Sequence, residues 1–246
     1  MIVTHTASGW DIVFQAAHAL LAYRFAFELK GLKDIHLWKE TLAALADHDD
    51  LKEAFGKNVY LTELGAPKDF TQFSVSARER FTEVKRRIES GHRKHRWIGV
   101  LCSRHAEELY AHENTSKQLK VLLQSERKRR LAVLHAIDAS VSDLEAAYQV
   151  LQFCDRISLI LCQGGIPAMN RRIEIVSHIG SARYELWDNG DHSLAVDPWP
   201  FETPEFEVGV EVRTIPQLMF SSDRELEKRL MASNVENRRW TFKNPK

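Results

Sequence analysis

Cysteine is scarce in this 246-residue chain, and the three present, Cys102, Cys154 and Cys162, form no C-x-x-C pair. All three sit in apolar segments. That fits buried reduced thiols and leaves no basis for a disulfide framework, a zinc ribbon or a dithiol redox centre. Excess charge of either sign is missing too, since Lys plus Arg and Asp plus Glu both total 34. A chain without a net field has no global attraction for nucleic acid or an anionic membrane, so neither is expected as a partner. No apolar run approaches the roughly 18 residues that a membrane-spanning helix needs. The opening MIVTHTASGWDIVFQ has no basic head followed by an apolar centre, so no export signal is read and the cytoplasm is the expected location. Internal repeats and low-complexity stretches are also absent, which speaks against a solenoid or a disordered linker.

What is there is ordinary globular material, 44% hydrophobic and 28% charged, long enough to bury a core without disulfides. One domain over residues 1–246 is expected, in two textures. MIVTH and WDIVF flank the turn-like Ala7-Ser8-Gly9 and read as a short hairpin. Helical periodicity then runs over about 13–30, from Asp34 to Phe55, and over 74–90, 96–112, 114–137 and 141–163, until Gly164, Gly165 and Pro167 stop it. After that come short β-rich runs, RIEIVSHI, ARYELW, HSLAVD, FEVGVEV and RRWTF, with one helical stretch at Ser222 to Met231. The expected architecture is mainly α: a helical core over 13–165, with 1–12 and 170–246 forming a small antiparallel sheet packed on it as an appendage.

Four ionisable side chains do not fit exposed helix faces. His18 lies within AAHALLA on the stripe of Phe14 and Leu21, and Asp155 lies on the stripe of Tyr148, Leu151, Leu159 and Cys162. His48 and Asp49 are adjacent on a helix and diverge by about 100°, so both flank an apolar face. A buried carboxylate costs several kcal/mol unless it is paired or bound to a metal. One shared divalent cation would relieve both aspartates, with the two imidazoles completing a mixed nitrogen and oxygen site suited to iron, manganese, zinc or nickel. Each member alone has an ordinary structural explanation; the combination points to a metal.

His105 shares a stripe with Trp97, Leu101 and Leu109 and is expected to face the same core, as a further metal ligand or a catalytic contact. His92 and His95 are weaker additions from the basic stretch GHRKHRW. Lys52 lies one helical turn from His48, Arg104 precedes His105 and Arg156 follows Asp155. These cations would favour a small anionic substrate, unless they serve as salt bridges between helices. Asp197-Pro198-Trp199-Pro200-Phe201 is rigid and aromatic; Trp199 is either a substrate-stacking lid or part of a packing plug.

The order His18, His48-Asp49, Asp155 resembles the HD superfamily, an all-helical fold whose members hold a catalytic metal with those four side chains. His48-Asp49-Asp50-Leu51-Lys52 is similar to that superfamily's His-Asp-x-Gly-Lys string, with Leu51 in place of glycine. A resemblance over nearly the whole chain, carried by QAAHALLA, ALADHDD, LGAPKDF, LCSRHAEELY, LQFCDRISLILC and LAVDPWPF, is to the bacterial family designated domain of unknown function 3891. The HD resemblance implies a metal-dependent phosphohydrolase with Asp49, Lys52 and His105 at the reacting centre and one or two ions. A di-iron oxygenase of the same superfamily, and a non-catalytic metal-stabilised binding or signalling module, stay open at this point. A homodimer is compatible with either.

Overall fold

Serine placement punctuates the helical part of the chain. Ser76, Ser116, Ser140 and Ser222 each accept a hydrogen bond from the backbone N–H three residues on, which satisfies one of the orphan donors of a helix start. At Ser76 and Ser140 the side chains of Glu79 and Asp143 reach back to close a capping box. The computed structural model describes residues 1–49, 55, 59–111, 115–180 and 182–245. Its helices are α1 (Gln15–Glu28), α2 (Trp38–Asp47), α3 (Ala77–Lys94), α4 (Arg96–Tyr110), α5 (Lys117–Ala136), α6 (Val141–Cys162) and α7 (Asp223–Ala232). The second helix is shorter than the sequence pattern suggests. Asp34 belongs to a 3-10 turn, Leu37 enters α2 with φ at 55°, and α2 ends at Asp47; most of the expected remainder, 50–54, lies outside the described residues.

The strands are β1 (Ile2–His5), β2 (Trp10–Val13), β3 (Ile173–Ile179), β4 (Ala182–Asp188), β5 (Ser193–Asp197), β6 (Glu205–Ile215) and β7 (Asn234–Lys243). All seven form one sheet in the order β1-β2-β6-β7-β5-β4-β3. Every neighbouring pair is antiparallel except β5 and β7, which run parallel. The sheet curls into a half-barrel.

This corrects the expected fold class. With 50% helix and 22% strand, the protein is not a mainly α core carrying a small antiparallel appendage. Short apolar runs disclose strands but not their partners. Here β7, from the chain's end, inserts between β6 and β5 and so joins the N-terminal hairpin side of the sheet to the β3–β4–β5 meander. Side chains from both textures then fill a common core: Phe25 of α1 and Phe153 of α6 lie in one buried cluster with Val196, Phe206, Val208 and Phe242 of the strands. α1 packs on α2, α6 and β6, while α6 packs on α1, α2, α4 and β3. Those two helices are therefore shared between the helical layer and the sheet. A smaller cluster under α7, built on Ile12, Tyr60, Ile215, Leu226 and Leu230, covers part of the sheet elsewhere.

α3 and α4 approach unusually closely. A Cβ on Gly99 would stand 2.2 Å from His92 Nδ1, and one on Gly91 would stand 3.0 Å from the Gly99 Cα. Only glycine admits that contact. α4 is in turn locked on α2, because the buried Trp97 Nε1–H donates to Thr41 Oγ1 at 2.8 Å. Among the described residues no helix is long and apolar enough to cross a membrane.

Phe242 tests whether the sheet is part of the core. It is fully buried, stacks on Phe206 with ring centroids 5.3 Å apart, and meets Phe25 of α1 edge-on at 5.2 Å. Phe242→Ala should cost roughly 3–5 kcal/mol in urea unfolding followed by helical circular dichroism. An unchanged helical transition would mean that β7 is a detachable addition.

Candidate metal centre

Three helix segments converge on one carboxylate. His18 lies on α1, His48 is the C-terminal cap of α2, and Asp155 lies on α6. Each imidazole is oriented by the carbonyl three residues earlier: His18 Nδ1 stands 3.2 Å from the Gln15 oxygen, and His48 Nδ1 stands 2.6 Å from that of Leu45. A carbonyl only accepts, so this network assigns the hydrogen to Nδ1 and leaves each neutral ring with its lone pair on Nε2. Both Nε2 atoms then point at a single atom, Asp155 Oδ1, at 2.9 and 3.0 Å. An ionised carboxylate also only accepts. Two lone pairs facing one carboxylate oxygen require positive charge between them.

That charge can come in two forms. Either each ring carries a second proton, or one divalent cation takes the place of both. The two alternatives carry equal charge, so the cluster is balanced for exchanging protons against a metal. Carbonyl partners on the outer nitrogen are the usual means of fixing a metal-bound histidine. Asp49 follows directly from His48, with Oδ2 3.8 Å from His18 Nδ1. Ligand atoms of His18, His48 and Asp49 all lie within 4.8 Å of one another, close enough to be drawn onto one ion. His18 and His48 are 0% and 3% exposed in their side chains and Asp155 is 20% exposed, so the cluster opens on the Asp155 side.

The electrostatics agree with the geometry. Burial by itself would lower the His48 pKa, but Asp155, Asp49 and the Leu45 carbonyl outweigh it and hold the ring above its ordinary 6.5. Burial pushes the Asp155 carboxyl up, and the facing His48 and His18 rings overcome it, holding the group well below the usual carboxylate range.

Around this cluster the sequence-predicted residues separate. His105 lies beside it, its ring centroid 6.0 Å from that of His48, with Nδ1 3.4 Å from the Tyr148 hydroxyl. Burial depresses its pKa to about 4, so the ring is neutral near pH 7. Arg104, one residue earlier, is engaged elsewhere: it donates to Glu145 at 2.9 and 3.2 Å and to Glu108 at 2.9 Å, and its guanidinium covers the Tyr148 ring at 4.3 Å. Arg156 has a buried Nε without a hydrogen-bond partner. Lys52 lies outside the described residues, as do Asp50 and Leu51. Trp199 packs on Phe201 and Phe206 and donates to the Thr203 carbonyl at 3.0 Å. That segment meets the C-terminal end of α1 through a Glu202 N–H to Glu28 bond, about 15 Å along the helix from His18 at 1.5 Å per residue, so Trp199 is not brought to the cluster. His95 caps α4 with Nδ1, and His92 faces Glu126 at 3.9 Å. The three cysteines are buried and free.

Sequence reasoning missed Arg87 of α3, whose Nη1 reaches Asp49 Oδ1 at 3.4 Å. A signal was present. Val84, Ile88 and Gly91 mark the buried face of α3, and Arg87 sits three residues after Val84 and four before Gly91, on that same face.

A protein-family model described as "Protein of unknown function (DUF3891)" matches residues 1–217. No curated protein and no solved structure matches the chain.

Two outcomes check the cluster. Since His48 carries its proton to a pH above 6.5 in the metal-free fold, a metal must displace that proton, and affinity should fall as pH drops through this range. The rise in melting temperature produced by zinc or manganese should accordingly be large at pH ~7.5 and much smaller at pH ~5.5, because a ligand stabilises only in proportion to its binding. Asp155→Asn should keep the helical spectrum while abolishing most metal uptake in elemental analysis; full metal content in that variant would show the ligand set to be wrong.

Proposed function

The chain belongs to the DUF3891 family, and from that premise we propose that it is a divalent-metal-dependent hydrolase acting on a phosphoester or another small anionic substrate. The observation that carries this reading is the pair of Nε2 atoms that meet one oxygen of Asp155 at 2.9 and 3.0 Å. A bound divalent ion would lower the pKa of a coordinated water and polarise a phosphoryl oxygen. The chain's own residues supply the rest. His18, His48, Asp49 and Asp155 are the ligands. The exposed side of Asp155 leaves an approach for substrate, as a catalytic metal site requires. Asp49 stands where it can hold the metal and orient water, and the neutral His105 offers a nitrogen that accepts a hydrogen bond beside them.

One observation favours a second reading. A neutral, buried His105 six ångströms from His48 is a donor of the type that a second iron would need, as in a di-iron oxygenase. Metal stoichiometry separates the two. One zinc, manganese or nickel per chain supports hydrolysis, and two irons per chain after anaerobic purification support oxygenation.

The direct test is a panel of chromogenic phosphoesters assayed with the metal-loaded protein. Turnover should vanish with chelator and return with metal. Asp49→Asn should lower it on the order of 10²-fold, the loss typical of removing one electrostatic group from a reacting centre. Metal-loaded protein that turns over no phosphoester would sink the hydrolase reading.

A further inference from the structure

One guanidinium and the candidate metal compete for the same carboxylate. Asp49 is a member of the ligand group around His18 and His48, and its Oδ1 is also the acceptor of Arg87 Nη1 at 3.4 Å. On its other side Arg87 Nη2 meets Glu83 Oε1 at 3.2 Å. Both contacts are at the long end for charge-assisted hydrogen bonds, which run nearer 2.7–2.9 Å. The Arg87 side chain is 11% exposed and that of Glu83 is 30% exposed, so Glu83 is the partner nearer solvent and the freer to leave.

Arg87 is held in this place by the fold. It lies four residues before Gly91, at the crossing where α3 comes closest to α4, which directs its side chain toward Asp49 and His105. Together with Glu83, Cys102, His105 and Tyr110 it lines a void of about 10 Å³, room for about one water. A larger anion cannot enter that void as it stands. Departure of the Glu83 carboxylate would free Arg87 Nη2 for such an anion.

Building on the metal-centre reading above, we propose that Arg87 is the substrate-anion receptor of the site, with Glu83 as the internal anion that occupies it until an oxyanion of the phosphate type displaces it. A divalent ion draws on the charge of Asp49, so Arg87 is less compensated once metal is bound. The planar fork of the guanidinium then presents two N–H groups to two oxygens of a tetrahedral anion. Arg104, the cation that the sequence offers first, is already engaged by Glu145 and Glu108. Arg87 binds and positions the substrate; it exchanges no proton.

The experiment is calorimetric titration of the manganese- or zinc-loaded protein with inorganic phosphate. Wild type should bind phosphate. Arg87→Gln should keep its metal and lose phosphate affinity tenfold or more, Arg87→Lys should lose part of it, and Lys85→Gln on the exposed face of the same helix should change nothing. Glu83→Gln removes the internal competitor and should tighten phosphate binding severalfold, a gain that a merely structural Arg87–Glu83 pair would not produce. Unchanged phosphate affinity in Arg87→Gln, or unchanged or weaker affinity in Glu83→Gln, overturns the proposal and leaves the metal centre standing. So does metal-loaded wild type that binds no phosphate, or loss of metal from Arg87→Gln, which would mark Arg87 as support for Asp49 alone. Wild-type protein that takes up no divalent metal overturns the underlying reading as well. If Arg87→Gln does not fold, Arg87→Lys and Glu83→Gln decide the matter.

Discussion

Asp155 Oδ1 is the atom on which the site depends, because two imidazole nitrogens meet it with the wrong electronic polarity for a neutral hydrogen bond. Backbone carbonyls of Gln15 and Leu45 hold the hydrogens on the outer nitrogens, so positive charge must reside between the inner nitrogens and the carboxylate. Protons or a divalent ion satisfy that need equally in charge and differently in consequence. With protons the cluster is a closed salt-bridged core. With a metal, the same side chains would hold an ion able to polarise a bound water, beside the partly exposed Asp155. Burial makes the requirement severe, since charge left uncompensated in such surroundings costs several kcal/mol.

The helices that present these groups are anchored from both directions. α1 and α6 pack on one another and also on β6 and β3, so the curled sheet supports the elements bearing His18 and Asp155. α2 is pinned by the Trp97–Thr41 hydrogen bond to α4, which carries His105. The close crossing of α3 and α4 adds Arg87. His18, Arg87, His105 and Asp155 are thus mounted on helices held by core packing, and His48 and Asp49 follow directly from the end of α2. Such mounting keeps a site within the narrow tolerances that metal binding and catalysis impose.

Charge around the centre is sorted by pairing more than by proximity in sequence. Arg104 neighbours His105 but spends its donors on Glu145 and Glu108 and its face on Tyr148, which braces α4 against α6. Arg87 comes from another helix and reaches the cluster itself. Adjacency in sequence therefore did not bring Arg104 to the cluster: its guanidinium turns to Glu145 and Glu108.

That His18, His48 and Asp155 come together, with Asp49 beside them, was legible in the one-dimensional pattern. His18 and Asp155 sit on apolar stripes, His48 and Asp49 flank one, and the cost of burying carboxylates made a common cation the economical explanation. The existence of helices before Gly164 and of strands after it was also legible, because apolar periodicity is a local property of the chain. Tertiary structure alone decided which strands pair. β7 joins two halves of a seven-stranded sheet through contacts distant in sequence, and that insertion makes an expected appendage part of the core. It likewise decided that Asp49 faces Arg87, that Arg104 turns to α6, and that Trp199 packs beyond the far end of α1. Such pairings depend on the relative placement of helices, which a pattern of apolar positions along one helix does not encode.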